Sequence, residues 1–432
     1  MPRLRRSRVR KGQEHQLGHG RRHSGRPVSS MKIALFSPLH PLKSGIADYT
    51  DEMLPFLKAH FDIDLYVDPG HVPSAPSLRS AFGVFPFAAE SFPASNYDAI
   101  LYHMGNYYRG HRFVYEALKR YPGVVVLHDY VLQGFYAEMA EAEKTPRNYQ
   151  KLLERYYGKR GLAIAERAAR RVYPSIWETE EALDYPLNEE ILDLAAGVIV
   201  HSDFVRERVE KRTAKPVVKI PHHGHILKNF DRQMERRKWG VRPDEILISS
   251  AGFVNRNRRY EVIIEALGKI ADARLRYIIA GEDRGRLLRH LTARAPARIS
   301  VEPFIPLEKL ESLIFASDIC VNLRFPTMGE TSGTLLRQMG YGRPTLVTNF
   351  GWYAEIPDWA VVKIEPDIDE SALLTTAFSL LIHDPDLRQS MGREAASYVQ
   401  TECDLAKCAQ SYADFITAGS RLRERWARQD TL

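Results

Sequence analysis

Short apolar runs alternate with helix-like stretches along most of this 432-residue chain, and they do so in two separate blocks. The first block opens at residues 32–37 (KIALFS), and the second begins near Glu245. A continuous apolar run of this length is typical of a strand buried on both faces of a parallel sheet. Strands separated by helices are joined by right-handed crossovers, so each block predicts one parallel sheet covered by helices. We therefore predict an α/β chain with two Rossmann-like domains.

The predicted elements follow this alternation. In the first block, strands are predicted at residues 32–37, 63–67, 99–103, 124–128, 198–201 and 217–220, with a helix at about 46–59. In the second block, strands are predicted at 246–251, 276–280, 299–301, 319–323, 345–348 and 360–363, with helices at 259–271, 283–294, 307–316 and 333–340. From Glu370 onward the pattern is helical.

Four segments follow from the predicted elements. They are a disordered basic tail at 1–30, an N-terminal domain at 31–230 with a helical insertion at about 134–190, a C-terminal domain at 231–400, and helices at 401–432 that pack back across the junction. A hinge between the domains is expected near residues 221–242.

The net charge of +7 is concentrated in the first thirty residues. They hold nine Lys or Arg residues against one acid, Glu14, which leaves 52 basic and 53 acidic residues in 31–432. Because the body is nearly neutral, no nucleic-acid partner is expected. Three interpretations of the tail stay open: a solvated disordered extension, an arm that binds anionic lipid or nucleic acid, or sequence upstream of a start at Met31. The tail lacks the apolar centre of a secretory signal.

Cysteine usage and hydropathy indicate the compartment. No apolar run approaches the roughly 20 residues of a transmembrane helix. Cys320, Cys403 and Cys408 show neither metal-ligand spacing nor an even disulfide set. This pattern is typical of a reducing environment, so we predict a cytoplasmic protein.

Residues 330–344 (ETSGTLLRQMGYGRP) join a carboxylate to the start of a short helix. Thr331 and Ser332 favour the cap of such a helix, and Gly333 lets a ligand approach the backbone closely. Glu330 is therefore expected beside free backbone amides. A carboxylate accepts hydroxyl protons and the amides face an anion, so the segment suits a ligand with both hydroxyl and phosphate groups.

Other polar residues follow predicted strands, and ligands of open α/β sheets bind beyond the carboxyl ends of strands. Ser44 and Gly45 open the helix after the first strand, where amides could hold a diphosphate or form a plain loop. His128 ends another strand, where it could bind a sugar hydroxyl or only hold a loop.

A cluster of arginines follows the first strand of the second block. Gly252 precedes Arg256, Arg258 and Arg259. Planar guanidinium groups chelate phosphate oxygens, which favours a diphosphate clamp, and a solvated loop is the alternative.

Together these segments resemble the retaining glycosyltransferases of the GT-B fold, specifically glycosyltransferase family 4 (glycosyl transferases group 1). The resemblance covers nearly all of 31–420. It rests on SGIADY at 44–49, VVVLHD at 124–129, GVIVHS at 197–202, IPHHG at 220–224 and GETSG at 329–333. It implies two Rossmann-like domains that face each other across a cleft, with C-terminal helices crossing back to the N-terminal domain.

The resemblance also implies roles for the C-terminal domain, which would bind a nucleotide-sugar donor. The family's E-x(7)-E motif begins at Glu330, whose carboxylate would hold donor sugar hydroxyls. Amides from Thr331 to Thr334 would face the sugar and diphosphate. The second Glu of the motif falls on Gln338, which would bind the ribose and can hydrogen bond hydroxyls without a charge.

The remaining implied roles concern the phosphates and the base. Arg258 stands where the family has a phosphate-binding Lys, and Phe253 stands where it has an Arg, so Arg256 or Arg259 would compensate. Phe304 and Ile305 fall in the segment whose backbone cradles the base. Ser44, Gly45 and His128 carry over as the N-terminal donor-phosphate loop and the active-site histidine.

The implied activity is hexosyl transfer of EC class 2.4 with retention, without metal or cofactor. The donor would be a UDP- or GDP-linked sugar, and the acceptor a glycan or lipid-linked molecule in polysaccharide, lipopolysaccharide or glycolipid synthesis. Diphosphate would leave by front-face displacement and take the acceptor proton. Gln338 and Phe253 favour an alternative, a non-catalytic nucleotide-sugar-binding GT-B subunit, and a GT-B phosphorylase or epimerase is a further one.

The insertion at 134–190 contains a basic and aromatic helical stretch. Its members are Arg147, Lys151, Arg155, Tyr156, Tyr157, Lys159 and Arg160. Such a helix can lie on an anionic membrane or contact a phosphorylated lipid acceptor, and an ordinary amphipathic surface helix is the alternative. Peripheral contact with the inner membrane face is therefore kept as a hypothesis.

Overall fold

The computed structural model describes residues 31–71, 73–74, 76–225, 227–283, 287–288 and 298–429. The predicted basic tail at 1–30 and most of the helix predicted at 283–294 lie outside these residues. The chain from Met31 onward forms one unit.

The first sheet has seven parallel strands in the order β3-β2-β1-β4-β5-β6-β7. The strands are β1 (Lys32–Phe36), β2 (Asp62–Val67), β3 (Gly83–Pro86), β4 (Ala99–Met104), β5 (Val124–Leu127), β6 (Gly197–Val200) and β7 (Val217–Lys219). Every residue of β5 and β6 is buried, as expected for strands covered on both faces.

The second sheet has six parallel strands in the order β10-β9-β8-β11-β12-β13. They are β8 (Ile246–Ala251), β9 (Leu275–Ala280), β10 (Ile299–Glu302), β11 (Ile319–Asn322), β12 (Thr345–Thr348) and β13 (Val362–Ile364). In each sheet the first strand lies inside, and later strands are added first on one side and then on the other. The order in which strands are added therefore reverses at β1/β4 and at β8/β11, the positions where open α/β sheets form their ligand crevices.

Helices cover these sheets. In chain order they are α1 (Gly45–Leu57), α2 (Pro76–Ala81), α3 (Tyr108–Arg120), α4 (Gln133–Ala142), α5 (Pro146–Ala169), α6 (Glu189–Leu194), α7 (Asp203–Glu210), α8 (Arg232–Lys238), α9 (Tyr260–Gly268), α10 (Leu307–Ala316), α11 (Gly333–Gly340), α12 (Trp352–Glu355), α13 (Glu370–His383), α14 (Pro385–Glu402) and α15 (Leu405–Gln429). Helix α5 is kinked at Gly158, whose φ is 55°.

The last helix, α15, packs against the first sheet although it follows the second in sequence. Its residues Leu405, Cys408 and Ile416 share a hydrophobic cluster with Ile33 of β1. The hydroxyl groups of Tyr412 and Tyr49, on α15 and α1, are 2.8 Å apart. The expected return of the C-terminal helices to the N-terminal domain is therefore confirmed.

The sequence pattern misses strand β3. Phe85 in this strand is 43% exposed, and none of its four residues is buried. The pattern that marks a buried parallel strand is therefore missing at this edge of the sheet. Among the described helices, none has both the length and the apolarity that crossing a membrane requires.

Candidate functional site

The two sheets meet through segments that follow the carboxyl ends of their strands. The amide of Val131, after β5, donates to the carbonyl of Met328, after β11, at 2.9 Å. Gly329 lies so close to Tyr130 that a Cβ on this glycine would be 2.5 Å from the tyrosine Cβ. The φ of Gly329 is 79°, a conformation that favours glycine. These contacts bring the β5 and β11 ends together in one cleft.

Glu330 lies in this cleft and has several partners within its own loop. Its Oε2 accepts hydrogen bonds from the Thr327 hydroxyl at 2.9 Å and the Met328 amide at 2.7 Å. Its Oε1 forms an ion pair with Arg324 Nη1 at 2.8 Å. The carboxylate is therefore fixed by the loop that carries it, and a ligand hydroxyl would share these oxygens.

Arg258 is buried at the end of β8, in the short helical turn after Gly252. One of its guanidinium nitrogens, Nη1, lies 3.3 Å from Asn322 Oδ1 at the end of β11. Gly252 has a φ of 127°, and a Cβ there would be 2.3 Å from Arg258 Nη2. Burial and then the neighbouring Arg324 lower the pKa of Arg258 to about 10. The guanidinium stays charged at neutral pH, and its described hydrogen-bond partner is a neutral amide.

Three buried nitrogen donors near Asn322 and Glu330 have no hydrogen-bond partner among the described residues. They are Nε of Arg258, Nε of Arg324 and Nε2 of Gln338. Buried polar groups are normally hydrogen-bonded, because an unpaired one loses its hydration without compensation. The arrangement therefore fits a ligand that supplies several acceptor oxygens. Arg258, whose guanidinium has no described carboxylate partner, favours an anionic one.

Gln338 lies beneath the cleft surface, with none of its side chain exposed. Its Oε1 accepts a hydrogen bond from Asn322 Nδ2 at 3.0 Å. Ser332 Oγ is 3.4 Å from the same asparagine's Oδ1 and also caps α11 by accepting from the Leu335 amide. Asn322 thus links the end of β11 to α11.

The residues around the start of α11 are more exposed to solvent than its N-cap residue, Ser332. Thr331, Gly333 and Thr334 are partly exposed. A Cβ on Gly333 would lie 3.5 Å from Nε2 of both His222 and His225, which follow the first sheet. The helix start predicted to face a ligand therefore lies against residues of the N-terminal block.

Ser44 and Gly45 form a second helix start in the N-terminal block. Ser44 Oγ accepts from the Ile46 amide at 3.2 Å, so it is the N-cap of α1. Gly45 is exposed, with no described atom within 4 Å of a Cβ position. Lys43 lies over the Phe304 ring, 4.3 Å from its centre, and so joins this loop to the second sheet.

His128 is buried among other histidines. Its Nε2 is 2.9 Å from His103 Nδ1, and its ring is 4.9 Å from the Tyr49 ring. Burial, then His201 and His103, lowers the pKa of His128 well below its usual value. A neutral imidazole at physiological pH can share a hydrogen bond but brings no positive charge.

Two predicted arginines are bound elsewhere. The Arg259 side chain is ion-paired with Glu370, and its Nε donates to Glu370 Oε2 at 2.9 Å. Exposed Arg256 lies over the Tyr173 ring, 5.0 Å from its centre. Of the three arginines after Gly252, Arg258 is therefore the one directed toward Asn322.

The base-binding prediction falls on one exposed and one buried residue. Phe304 is 42% exposed after β10, whereas Ile305 is packed in the hydrophobic cluster with Leu247 and Ile278. Phe304 thus lies at the rim with Lys43 over one face of its ring, and Ile305 anchors its segment.

Sequence reasoning does not select Arg324, Asn322 or Asp129, although each lies at or just after the carboxyl end of a strand. Asp129 Oδ2 accepts a hydrogen bond from the Asn106 amide at 2.8 Å. Burial and then the charge of Glu330 raise the pKa of Asp129 to about 6. This carboxyl thus belongs to the same electrostatic site as Glu330. The position of these residues after strands is the signal that could have found them.

Among the described residues, one group could hold a metal ion, since ligand atoms of Glu52, His223 and His225 lie within 4.8 Å of one another. The nitrogens of His223 already lie near backbone carbonyls, with Nδ1 2.8 Å from Gly224 O and Nε2 3.1 Å from Tyr49 O. Glu52 is also ion-paired to Arg337. These contacts favour a hydrogen-bonded network at this position.

A cavity of about 580 Å³ lies away from the cleft, at the amino ends of β4, β5 and β6. Ile100, Ala195 and Phe415 are among its lining residues. Because ligands of open α/β sheets bind at the opposite ends of the strands, we assign the candidate site to the cleft.

No known family profile and no curated protein sequence matches the chain. Among solved structures, sucrose-phosphate synthase from Thermosynechococcus elongatus is similar with a TM-score of 0.63 and 16% identity, over 92% of this chain and 100% of that chain. Anabaena HepE in complex with UDP and glucose is similar with a TM-score of 0.60 and 15% identity, over 90% of this chain and 100% of that chain. WaaG, a glycosyltransferase involved in lipopolysaccharide biosynthesis, is similar with a TM-score of 0.57 and 17% identity, over 89% of this chain and 99% of that chain.

At these identities the likeness establishes the fold alone. The two parallel sheets, their order and the returning C-terminal helix agree with it. The α/β GT-B fold expected from the sequence is therefore confirmed.

Proposed function

We propose that this protein is a glycosyltransferase that moves a hexose-type sugar from a UDP- or GDP-linked donor to a glycan or lipid-linked acceptor. The observation that carries the proposal is the pair of buried arginine donors with no described partner, Nε of Arg258 and Nε of Arg324, beside the carboxylate of Glu330. A nucleotide sugar carries both phosphate oxygens and hydroxyls, the two kinds of group that this set would bind. The Anabaena HepE structure, which holds UDP and glucose, supports this choice of ligand.

The leaving diphosphate is the charge that the cleft would stabilise. Arg258 supplies a buried cation with no described carboxylate partner, and the α1 and α11 starts supply backbone amides. Groups already in place when charge develops give the largest catalytic effect, since they need no reorganisation. This chemistry is expected to need no metal ion.

Retention is the proposed stereochemical course. The acceptor hydroxyl attacks the anomeric carbon on the face from which diphosphate departs. The bond from that carbon to the phosphate oxygen breaks, the glycosidic bond forms, and the acceptor proton passes to the departing phosphate. Glu330 would hold sugar hydroxyls, and His128, as a neutral imidazole, would hydrogen bond the sugar from the opposite wall.

An anionic surface or acceptor is proposed for the insertion helix α5. Arg147, Lys151, Arg155 and Lys159 are exposed on it. Clustered basic side chains are attracted to anionic lipid headgroups, which supports peripheral contact with a membrane that carries the acceptor.

The alternative is a non-catalytic nucleotide-sugar-binding GT-B subunit. It is favoured by the burial of Gln338, which binds Asn322, and by the internal partners of Glu330. Donor binding without hydrolysis or transfer, across a panel of acceptors, would support this alternative over the enzyme.

The test is an assay for release of UDP or GDP from their sugar conjugates, with and without candidate acceptors. We expect slow hydrolysis by the wild-type protein and a loss of about 100-fold or more in Glu330→Ala, as when a group that positions the substrate is removed. Glu308→Ala removes a carboxylate that is 75% exposed, and we expect it to keep full activity. Unchanged turnover in Glu330→Ala would show that the assigned role is wrong.

A further inference from the structure

Two helix starts of the cleft belong to different sheets. Helix α1 begins at Gly45 after β1, and α11 begins at Gly333 after β11. Each has a serine N-cap, Ser44 and Ser332, that satisfies one amide of its own helix. A diphosphate bound by both would depend on the spacing between them, because hydrogen bonds weaken steeply with distance and angle.

An ion-pair bridge joins these two helices within the next turns. Glu52 of α1 is paired with Arg337 Nη2 of α11, and Arg337 Nη1 lies 2.7 Å from Glu311 of α10. The side chain of Arg337 is 3% exposed. One guanidinium thus binds a carboxylate from each side of the cleft.

His225 adds a third connection to the same place. Its Nδ1 contacts the Glu52 carboxylate, and its Nε2 is 2.9 Å from the carbonyl oxygen of Gly333, the first residue of α11. The histidine lies in the segment that connects the two sheets. The bridge therefore reaches the peptide whose neighbouring amides would face the donor.

The burial of Arg337 makes the bridge selective for one arrangement. A buried charge is tolerated only when it is paired, so moving α1 away would leave the guanidinium with Glu311 alone. The bridge therefore favours the arrangement in which both helix starts face the same space. A surface ion pair would impose no such constraint.

We propose that Glu52, His225 and Arg337 are positioning residues that set the spacing between the α1 and α11 helix starts for the donor diphosphate. The role of the diphosphate rests on the proposed function, whereas the spacing is a property of the free protein. None of the three side chains needs to touch the donor.

The first arm of the test measures the spacing without any donor. Spin labels are placed at exposed Ala59→Cys, just after α1, and Ala372→Cys on α13, while the three native cysteines are buried. Glu52→Gln keeps the size of the side chain and removes its charge. We expect it to broaden the distance distribution in double electron–electron resonance. The matched control is Glu311→Gln, which removes the other carboxylate paired with Arg337 but leaves the contact between α1 and α11 in place. It should leave the distance distribution narrow.

The second arm measures donor kinetics. We expect Glu52→Gln and Arg337→Gln each to raise KM for the donor about tenfold or more, with a smaller change in kcat. A tenfold change corresponds to the loss of about one charge-assisted hydrogen bond between a displaced helix start and the diphosphate. The double variant should raise KM no further than the more impaired single variant, because both substitutions remove the same Glu52–Arg337 contact. Glu311→Gln leaves the Glu52–Arg337 pair between the two helices in place, so it should raise KM less than either of these variants.

The two arms separate the possible failures. An unchanged distance distribution in Glu52→Gln would overturn the proposal, whatever the protein binds. Multiplicative effects in the double variant would also overturn it, because they indicate independent roles. If the distribution broadens while the wild-type protein binds no nucleoside diphosphate, the positional role stands and the proposed function fails.

Discussion

Replacing Arg258 by methionine should make the protein more stable and less able to bind a nucleotide. In the folded state, burial and then Arg324 lower the pKa of Arg258 from its ordinary value to about 10. Because the pKa is lowered, the charged form is the unfavourable one in the folded state, and this cost is present at every pH well below 10. Each pKa unit corresponds to about 1.4 kcal/mol, so the charge costs about 3 kcal/mol.

The gain from the substitution should be smaller than this cost. Arg258→Met also removes the 3.3 Å contact with Asn322, which contributes about 1 kcal/mol. We therefore expect the free energy of unfolding at neutral pH to rise by roughly 1–3 kcal/mol, measured by urea denaturation. In the same preparation, UDP or GDP should no longer raise the melting temperature.

Arg337→Met is the matched control, since its arginine is also buried but is paired with Glu52 and Glu311. Its removal leaves two carboxylates without their cation, so stability should fall by about 3–5 kcal/mol. The reasoning would be refuted if Arg258→Met destabilised the protein by more than about 1 kcal/mol and retained nucleotide binding.

Two further predictions concern buried polar groups. Burial and then Glu330 raise the pKa of Asp129 to about 6, so the folded state holds this proton more tightly than the unfolded state. The contribution of Asp129 to stability should therefore fall as pH rises from about 4 to about 6, so denaturation across this range should show the free energy of unfolding of Asp129→Asn rising relative to that of the wild type; a constant difference between the two proteins would contradict the raised pKa. Tyr412→Phe should lower the free energy of unfolding by about 1–2 kcal/mol, because it leaves the buried Tyr49 hydroxyl without its hydrogen-bond partner. Removing both hydroxyls should lower it no further. Additive losses in calorimetry would show that the two hydroxyls do not act as a pair.

Much of the fold could be predicted because parallel strands carry a strong local signal. The predicted strand at 246–251 agrees with β8, and the predicted helix at 333–340 agrees with α11. Strand β3 could not be predicted, since an exposed edge strand needs no apolar run.

The candidate site was predictable in part for a different reason. Glu330 and Arg258 lie beside strand ends in a sequence context that favours ligands, and the structure brings both to the same cleft. Sequence alone gives no sign that Arg324 reaches Glu330, or that Asn322 holds Gln338 beneath the surface. These relations depend on side-chain packing between elements that are distant in the chain, such as α1 and α11.

The central claim is that the cleft recognises the diphosphate of a nucleotide sugar through buried donors. It is tested most directly by calorimetric titration of the wild-type protein with uridine, UDP, guanosine and GDP. We predict that one nucleoside diphosphate binds about 100-fold or more tightly than its nucleoside, the effect of about two charge-assisted hydrogen bonds. We also predict that this difference collapses in Arg258→Met. Equal affinities for nucleoside and diphosphate, or no binding of either, would contradict the claim.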